Sequence, residues 1–280
     1  MAMGMPVRRR HLIIQLKRLR NEAGLSQDEA WKLVGWSRAK LQRLEAGDFQ
    51  RVKAGDIMAL CQIYNADKAV AEELIQIARD SRKETPWWFQ YKDVLPGTFI
   101  GLEAEATLIQ DYAIALIPGL LQTRDYTAAL MNTSTDVPKQ EVRQRLEIRA
   151  ERQRSVLDRE QPPMLMTVID EAAVRRQIGG PETMREQIQH LIELSERPSV
   201  DIQVLPFSAG AHAAAGIPFT ILGFDGANAA GSVVYLETHK DGFYLDSDTE
   251  IARHRLIFSR TQGSAMSVED SRDFLERLNS

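Results

Sequence analysis

Between Ser26 and Gly47 the chain has room for only two short helices, and no other stretch constrains its fold as tightly. The segment reads "SQDEAWKLVGWSRAKLQRLEAG". Ser26, with Glu29 three residues on, is the signature of a capping box, in which the two residues satisfy each other's groups at a helix start. Gly35 supplies a stop, because glycine adopts the left-handed conformation that ends helices without steric cost. Ser37 caps the next helix and Gly47 ends it. Two helices joined so tightly must cross at a steep angle, which is the geometry of a helix-turn-helix.

The flanks extend the pattern. Ile13, Leu16 and Leu19 recur at intervals of three, while "KAGDIMALCQIYN" and "DKAVAEELIQIARDSRK", with Asp67 as a cap, read as two more helices. Residues 1–83 are therefore expected to form an all-α, five-helix domain. In the helix after Ser37, Leu41 and Leu44 fall on one side at about 100° per residue. Arg38, Ala39, Gln42 and Arg43 fall on the other, with Lys40 on the flank. Such a face is either an ordinary solvated surface or a set of cationic donors, with one small residue, for entering a DNA groove.

Charge distribution bears on the choice. Residues 1–55 hold twelve basic and five acidic side chains, a net +7, whereas the whole chain is at −4, so the remainder carries −11. A basic module on an acidic body is a common layout among nucleic-acid binders.

The stretch "LKRLRNEAGLSQDEAWKLVGWSRAKLQRLEAG" resembles the helix-turn-helix family of phage repressors and xenobiotic-response-element (XRE) regulators. Leu19, Gly24, Leu25, Ser26, Gln27, Gly35, Ser37, Leu41, Glu45 and Gly47 match the family pattern. The resemblance implies double-stranded DNA as partner and a homodimer on paired half-sites. Gln27 would touch a phosphate. Ser37 would open the reading helix, Arg38, Ala39 and Arg43 would face bases, and Lys40 and Gln42 would lie alongside. Two positions depart from the pattern. The family's Leu-Ala pair is Ala30-Trp31 here, which calls for different packing between the two helices, and its Glu-Asn-Gly is Glu45-Ala46-Gly47, which removes an amide that often meets phosphate.

Residues 84–99 form an aromatic junction, with Trp87, Trp88, Phe89 and Tyr91 suited either to a hydrophobic clasp or to a ligand cage. Beyond it, residues 100–280 are expected to form an α+β domain with a small, largely antiparallel sheet. A helical segment runs to Pro118-Gly119, and another starts near Thr123. The strands are "PPMLMTVID", "VDIQVLPF", "IPFTILGF" and "SVVYLETH", bounded by turn residues. The arginines of "QEVRQRLEIRAERQRSVLD" could meet an acidic partner or DNA, or line a solvated face. "GLEAEA", "PGLLQT", "IDEAAVRRQIGG", "IQVLPF", "GAH" and "VVYLET" together resemble the C-terminal domain of antitoxin-like actinobacterial regulators (Scr1-type, including WhiJ-like developmental regulators). That resemblance implies gene regulation, often beside a small partner protein encoded nearby. A small-molecule ligand between the helices after Gly119 and the sheet is the further alternative. The resemblance supplies no catalytic residue.

Other classes find little support. The five histidines lack any metal-binding spacing such as H-E-x-x-H, and no phosphate loop or nucleophile elbow is present. The expectation is a protein that is not an enzyme and has no cofactor or metal. The one cysteine, Cys61, excludes an internal disulfide and is expected to be inert core. No run approaches the ~18 apolar residues a bilayer requires, so the expected location is cytoplasmic, with no membrane partner.

Overall fold

Serine caps and left-handed glycines punctuate the first helices as the spacing predicts. In the computed structural model, which describes residues 7–46, 52–80, 97–133, 139–224, 231–238 and 242–280, α1 spans Val7–Glu22, α2 Gln27–Leu33 and α3 Arg38–Ala46. The Ser26 hydroxyl accepts from the Glu29 amide, and Glu29 Oε2 accepts from the Ser26 amide at 2.8 Å. These bonds from Ser26 hold the Glu29 carboxyl below its ordinary pKa. Gly35 sits at φ +71°, and behind it the Trp36 amide donates to the Trp31 carbonyl at 2.9 Å, closing α2. The Lys40 amide donates to Ser37 Oγ at 3.3 Å, so Ser37 caps α3. Two further helices follow, α4 (Ala54–Ile63) and α5 (Lys68–Asp80).

Leu12, Leu16 and Leu19 of α1 meet Ala30, Leu41 and Leu44, with Ile57, Leu60 and Leu74 completing one core. Leu41 is wholly buried, so truncating it to alanine would cost about 2–5 kcal/mol. Ala30 is the residue buried where α2 meets α3, and Trp31 stands part-exposed at the margin. Cys61 lies in this core, where burial pushes its thiol up to about 11.

The described residues fall into two compact units, one within 1–105 and the other formed by 106–224 and 232–280. The first contains a sixth helix, α6 (Gly97–Glu105), so the count is not five. The aromatic junction, apart from its last residues, lies outside the described residues, as do Gly47 and Lys83.

The second unit is built on a six-stranded sheet of β1 (Leu108–Ala113), β2 (Met164–Asp170), β3 (Val200–Leu205), β4 (Phe219–Gly223), β5 (Val233–Glu237) and β6 (Gly242–Leu245), in the order β3-β2-β1-β4-β5-β6. β1 pairs with β2 and β2 with β3 in parallel; β1–β4, β4–β5 and β5–β6 are antiparallel. The sheet is thus mixed, which corrects the expectation of a largely antiparallel one. The reason is the connections. α7 (Arg124–Met131) and α8 (Lys139–Leu157) separate β1 from β2; α9 (Glu171–Arg175) and α10 (Pro181–Ser195) separate β2 from β3. A helical crossover returns the chain in the same direction, whereas short loops give antiparallel neighbours. The helical segment expected to reach Pro118 is in fact α6 followed by β1, at the sheet's centre.

α11 (Asp248–Ser264) lays Ile251 and Phe258 on the face formed by Tyr112, Val168, Phe219, Ile221 and Val234. α12 (Val268–Asn279) closes the β3 edge, where Ser271 Oγ accepts from the Val204 amide at 2.9 Å. Among the described residues no helix is long and apolar enough to cross a membrane.

Candidate nucleic-acid interface

The face opposite Leu41 and Leu44 is open. Ser37, Arg38, Ala39, Gln42 and Arg43 are all exposed, and Lys40 is intermediate. Helical periodicity alone places the first five together, and the structure keeps them so.

Three side chains beside this face are fixed by contacts between helices. Arg20 of α1 donates through Nε to Glu45 Oε1 at 2.8 Å and through Nη1 to the Leu25 carbonyl at 2.8 Å. Glu45, only 6% exposed, also accepts from Gln27 Nε2 at 3.0 Å. One buried carboxylate thereby ties together α1, the start of α2 and the end of α3. Gln27, expected at a phosphate, is half-buried, with its amide nitrogen held in place. Tyr64 lies within reach of the same charges, and burial, reinforced by Glu45, pushes its phenol up to about 12.

Lys40 is differently placed. Its ammonium lies 2.8 Å from Asp56 Oδ1 on α4 and 3.7 Å from the centre of the Trp36 ring. It pins α3 to its neighbours through an ion pair and a cation–π contact. Arg38 Nε is 3.4 Å from Asp28 Oδ1, and the same oxygen accepts from Trp31 Nε1 at 3.3 Å. Arg20, Asp28, Trp31, Trp36 and Asp56 were not singled out as site residues from sequence. Their partners are distant along the chain or on another helix, and only the match at Glu45 hinted at the buried network.

The motifs of the second unit resolve into structural roles. Gln122 of "PGLLQT" donates to the Ile117 carbonyl at 2.6 Å and accepts from Thr127 Oγ1 at 3.0 Å and Arg149 Nη1 at 3.2 Å. Gln187, wholly buried, accepts from the Thr123 amide at 2.7 Å and donates to the Leu121 carbonyl at 2.8 Å. In "IDEAAVRRQIGG", Asp170 caps α9, and Glu171 accepts from Arg175 Nε and from the Phe207 amide. His212 of "GAH" lies 3.4 Å from the Tyr112 hydroxyl, and burial, with Asp170 nearby, pushes that phenol up to about 12. A groove of about 450 Å³ beside α10 is lined by Thr123, Arg185, Gln189, His190 and Glu193. Among the described residues no three His, Cys, Asp or Glu gather as a metal site.

Comparison with known families agrees with this division. A family model described as a domain of unknown function, DUF5753, matches residues 96–277, more than half of the chain. The chain belongs to the DUF5753 family. A second model, described as a helix-turn-helix domain, matches residues 11–74. No curated protein and no solved structure matches the chain. In this DUF5753 protein the helix-turn-helix match spans the Arg20–Glu45–Gln27 network and the open face of α3, and it supports DNA binding and a role in transcription regulation. The XRE and WhiJ-like assignments are finer than either match.

Proposed function

We propose that the protein is a sequence-specific, DNA-binding transcriptional regulator that presents α3 to the major groove. The observation that carries this reading is the single open face of Ser37, Arg38, Ala39, Gln42 and Arg43, beside a Gln27 amide anchored by buried Glu45. Long cationic donors at a helix surface suit guanine edges, and a side chain anchored at the start of α2 suits a phosphate. In this reading the protein belongs with XRE-type regulators of the Scr1, WhiJ-like kind, acts in the cytoplasm as a homodimer on half-sites about one helical turn apart, and performs no catalysis. The C-terminal domain receives the signal, either a small protein partner or a small molecule. The acidic charge of residues 56–280 supports confining DNA contact to the basic module, since it repels DNA elsewhere.

The test is selection of bound sites from a random DNA pool with the full chain and with Arg43→Ala. Arg43→Ala is expected to lose about 1–3 kcal/mol of discrimination at the base pair it reads. Gln27→Ala is expected to weaken all sequences alike, because phosphate contacts carry no base information. Wild-type affinity and wild-type preference in both variants would remove the reading face from α3.

A further inference from the structure

We propose that Asp28, a residue of α2, sets base specificity by orienting Arg38 of α3; this rests on the reading of α3 as the DNA-contacting helix. Acidic residues occupy two positions in the first turn of α2, and they have different tasks. Glu29 is consumed by the cap, accepting from the Ser26 amide and hydroxyl. Asp28 takes no part in the cap. One of its oxygens, Oδ1, lies 3.4 Å from Arg38 Nε and accepts from Trp31 Nε1 at 3.3 Å. The indole fixes the carboxylate, and the carboxylate faces the inner edge of the guanidinium.

An arginine held at Nε keeps both terminal nitrogens for an outside acceptor. A guanine edge offers two acceptors, O6 and N7, at a spacing that a guanidinium fork matches. Arg38 is the first residue of α3 and its side chain is 62% exposed, so its terminal nitrogens remain accessible to an outside acceptor. The carboxylate also weakens general attraction to phosphate, since it adds negative charge to a surface that must approach DNA. Asp28 therefore trades indiscriminate affinity for selectivity at one base pair. Trp31, a departure from the family's alanine, gains a role through its N–H.

The experiment is quantitative site selection with the full chain as wild type, Arg38→Ala, Asp28→Ala and Trp31→Phe, each first matched for helix content and melting. Arg38→Ala is expected to lose roughly tenfold or more discrimination at one base pair per half-site. Asp28→Ala should lose about two- to fivefold at that same base pair, as befits an exposed ion pair, while binding mixed-sequence DNA more tightly than wild type. Trp31→Phe should blur that position alone, to a smaller degree. Undiminished preference in Asp28→Ala, or a blur spread evenly over the site, overturns the orienting role. An unchanged motif in Arg38→Ala overturns it too, while leaving α3 a reader through Arg43. Absence of any enriched motif in the wild type removes the DNA reading itself.

Discussion

Both units bury a polar network, and the two networks differ in kind. In the first, Glu45 carries a charge, neutralised by Arg20, and its remaining bond reaches Gln27 at the edge of the open face. In the second, Gln122, Gln187 and Thr127 are neutral, and their bonds go mainly to backbone groups of 117–123. A charge needs a charge partner once buried, so it ties a few side chains strictly together and passes their positions to the surface. A glutamine satisfies a bent backbone locally, and Gln122 also accepts from Arg149 Nη1 of α8 within the same unit. The contrast teaches that buried polarity in this protein holds a working surface in one unit and a chain reversal in the other.

The sharpest way to break that contrast is to remove one member of each network. Glu45→Ala leaves Arg20, 15% exposed, without its partner and is expected to destabilise the first unit by about 3–5 kcal/mol, read as faster hydrogen exchange of α1–α3. Glu45→Gln should cost less and weaken binding to the selected DNA site. Gln187→Ala strands the Thr123 amide and the Leu121 carbonyl, and is expected to cost about 2–3 kcal/mol, confined to exchange in the second unit, with base preference unaltered. If Gln187→Ala altered base preference, the neutral network would not be merely structural.

A smaller effect concerns pH. Burial, foremost, lowers the His190 pKa from its ordinary 6.5, against the attraction of Glu193. The unfolded chain therefore takes up this proton at higher pH than the folded one. Stability from this group is complete above about pH 6.5 and declines as pH falls below it. His190→Gln should flatten that part of the pH–stability curve of the second unit without touching the first. A steeper curve in the variant would contradict the assignment.

These comparisons also explain what the sequence revealed. Ser26, Gly35 and Ser37 were legible because a cap is made by residues within a few positions of one another. Leu41 and Leu44 could be assigned to the core, and Arg38, Ala39, Gln42 and Arg43 to the surface, from helical angle alone. β1 escaped because Gln110 and Asp111 interrupt its apolar pattern. Its place shows only through partners far along the chain, such as Thr220, whose hydroxyl donates to Asp111 Oδ1 at 2.9 Å. Parallel pairing with β2 is likewise non-local. Lys40 reads as a surface cation on α3, and nothing near it in sequence announces Asp56 sixteen residues on. Trp31 reads only as a departure from the family pattern, and Asp28 carries no signal of its own, until folding brings Arg38 beside Asp28.

The most direct test of the account places a cleavage reagent on α3. Ala39 is exposed, and the native cysteine, Cys61, is buried, so Ala39→Cys in the full chain supplies a selective thiol for an iron chelate. Bound to its selected site, the labelled protein should cut DNA at a focused position in the major groove of each half-site, while the same label at Ser264→Cys on the second unit should leave that position uncut. Diffuse cutting from position 39, or focused cutting from position 264 instead, would contradict the assignment of α3 as the reading helix.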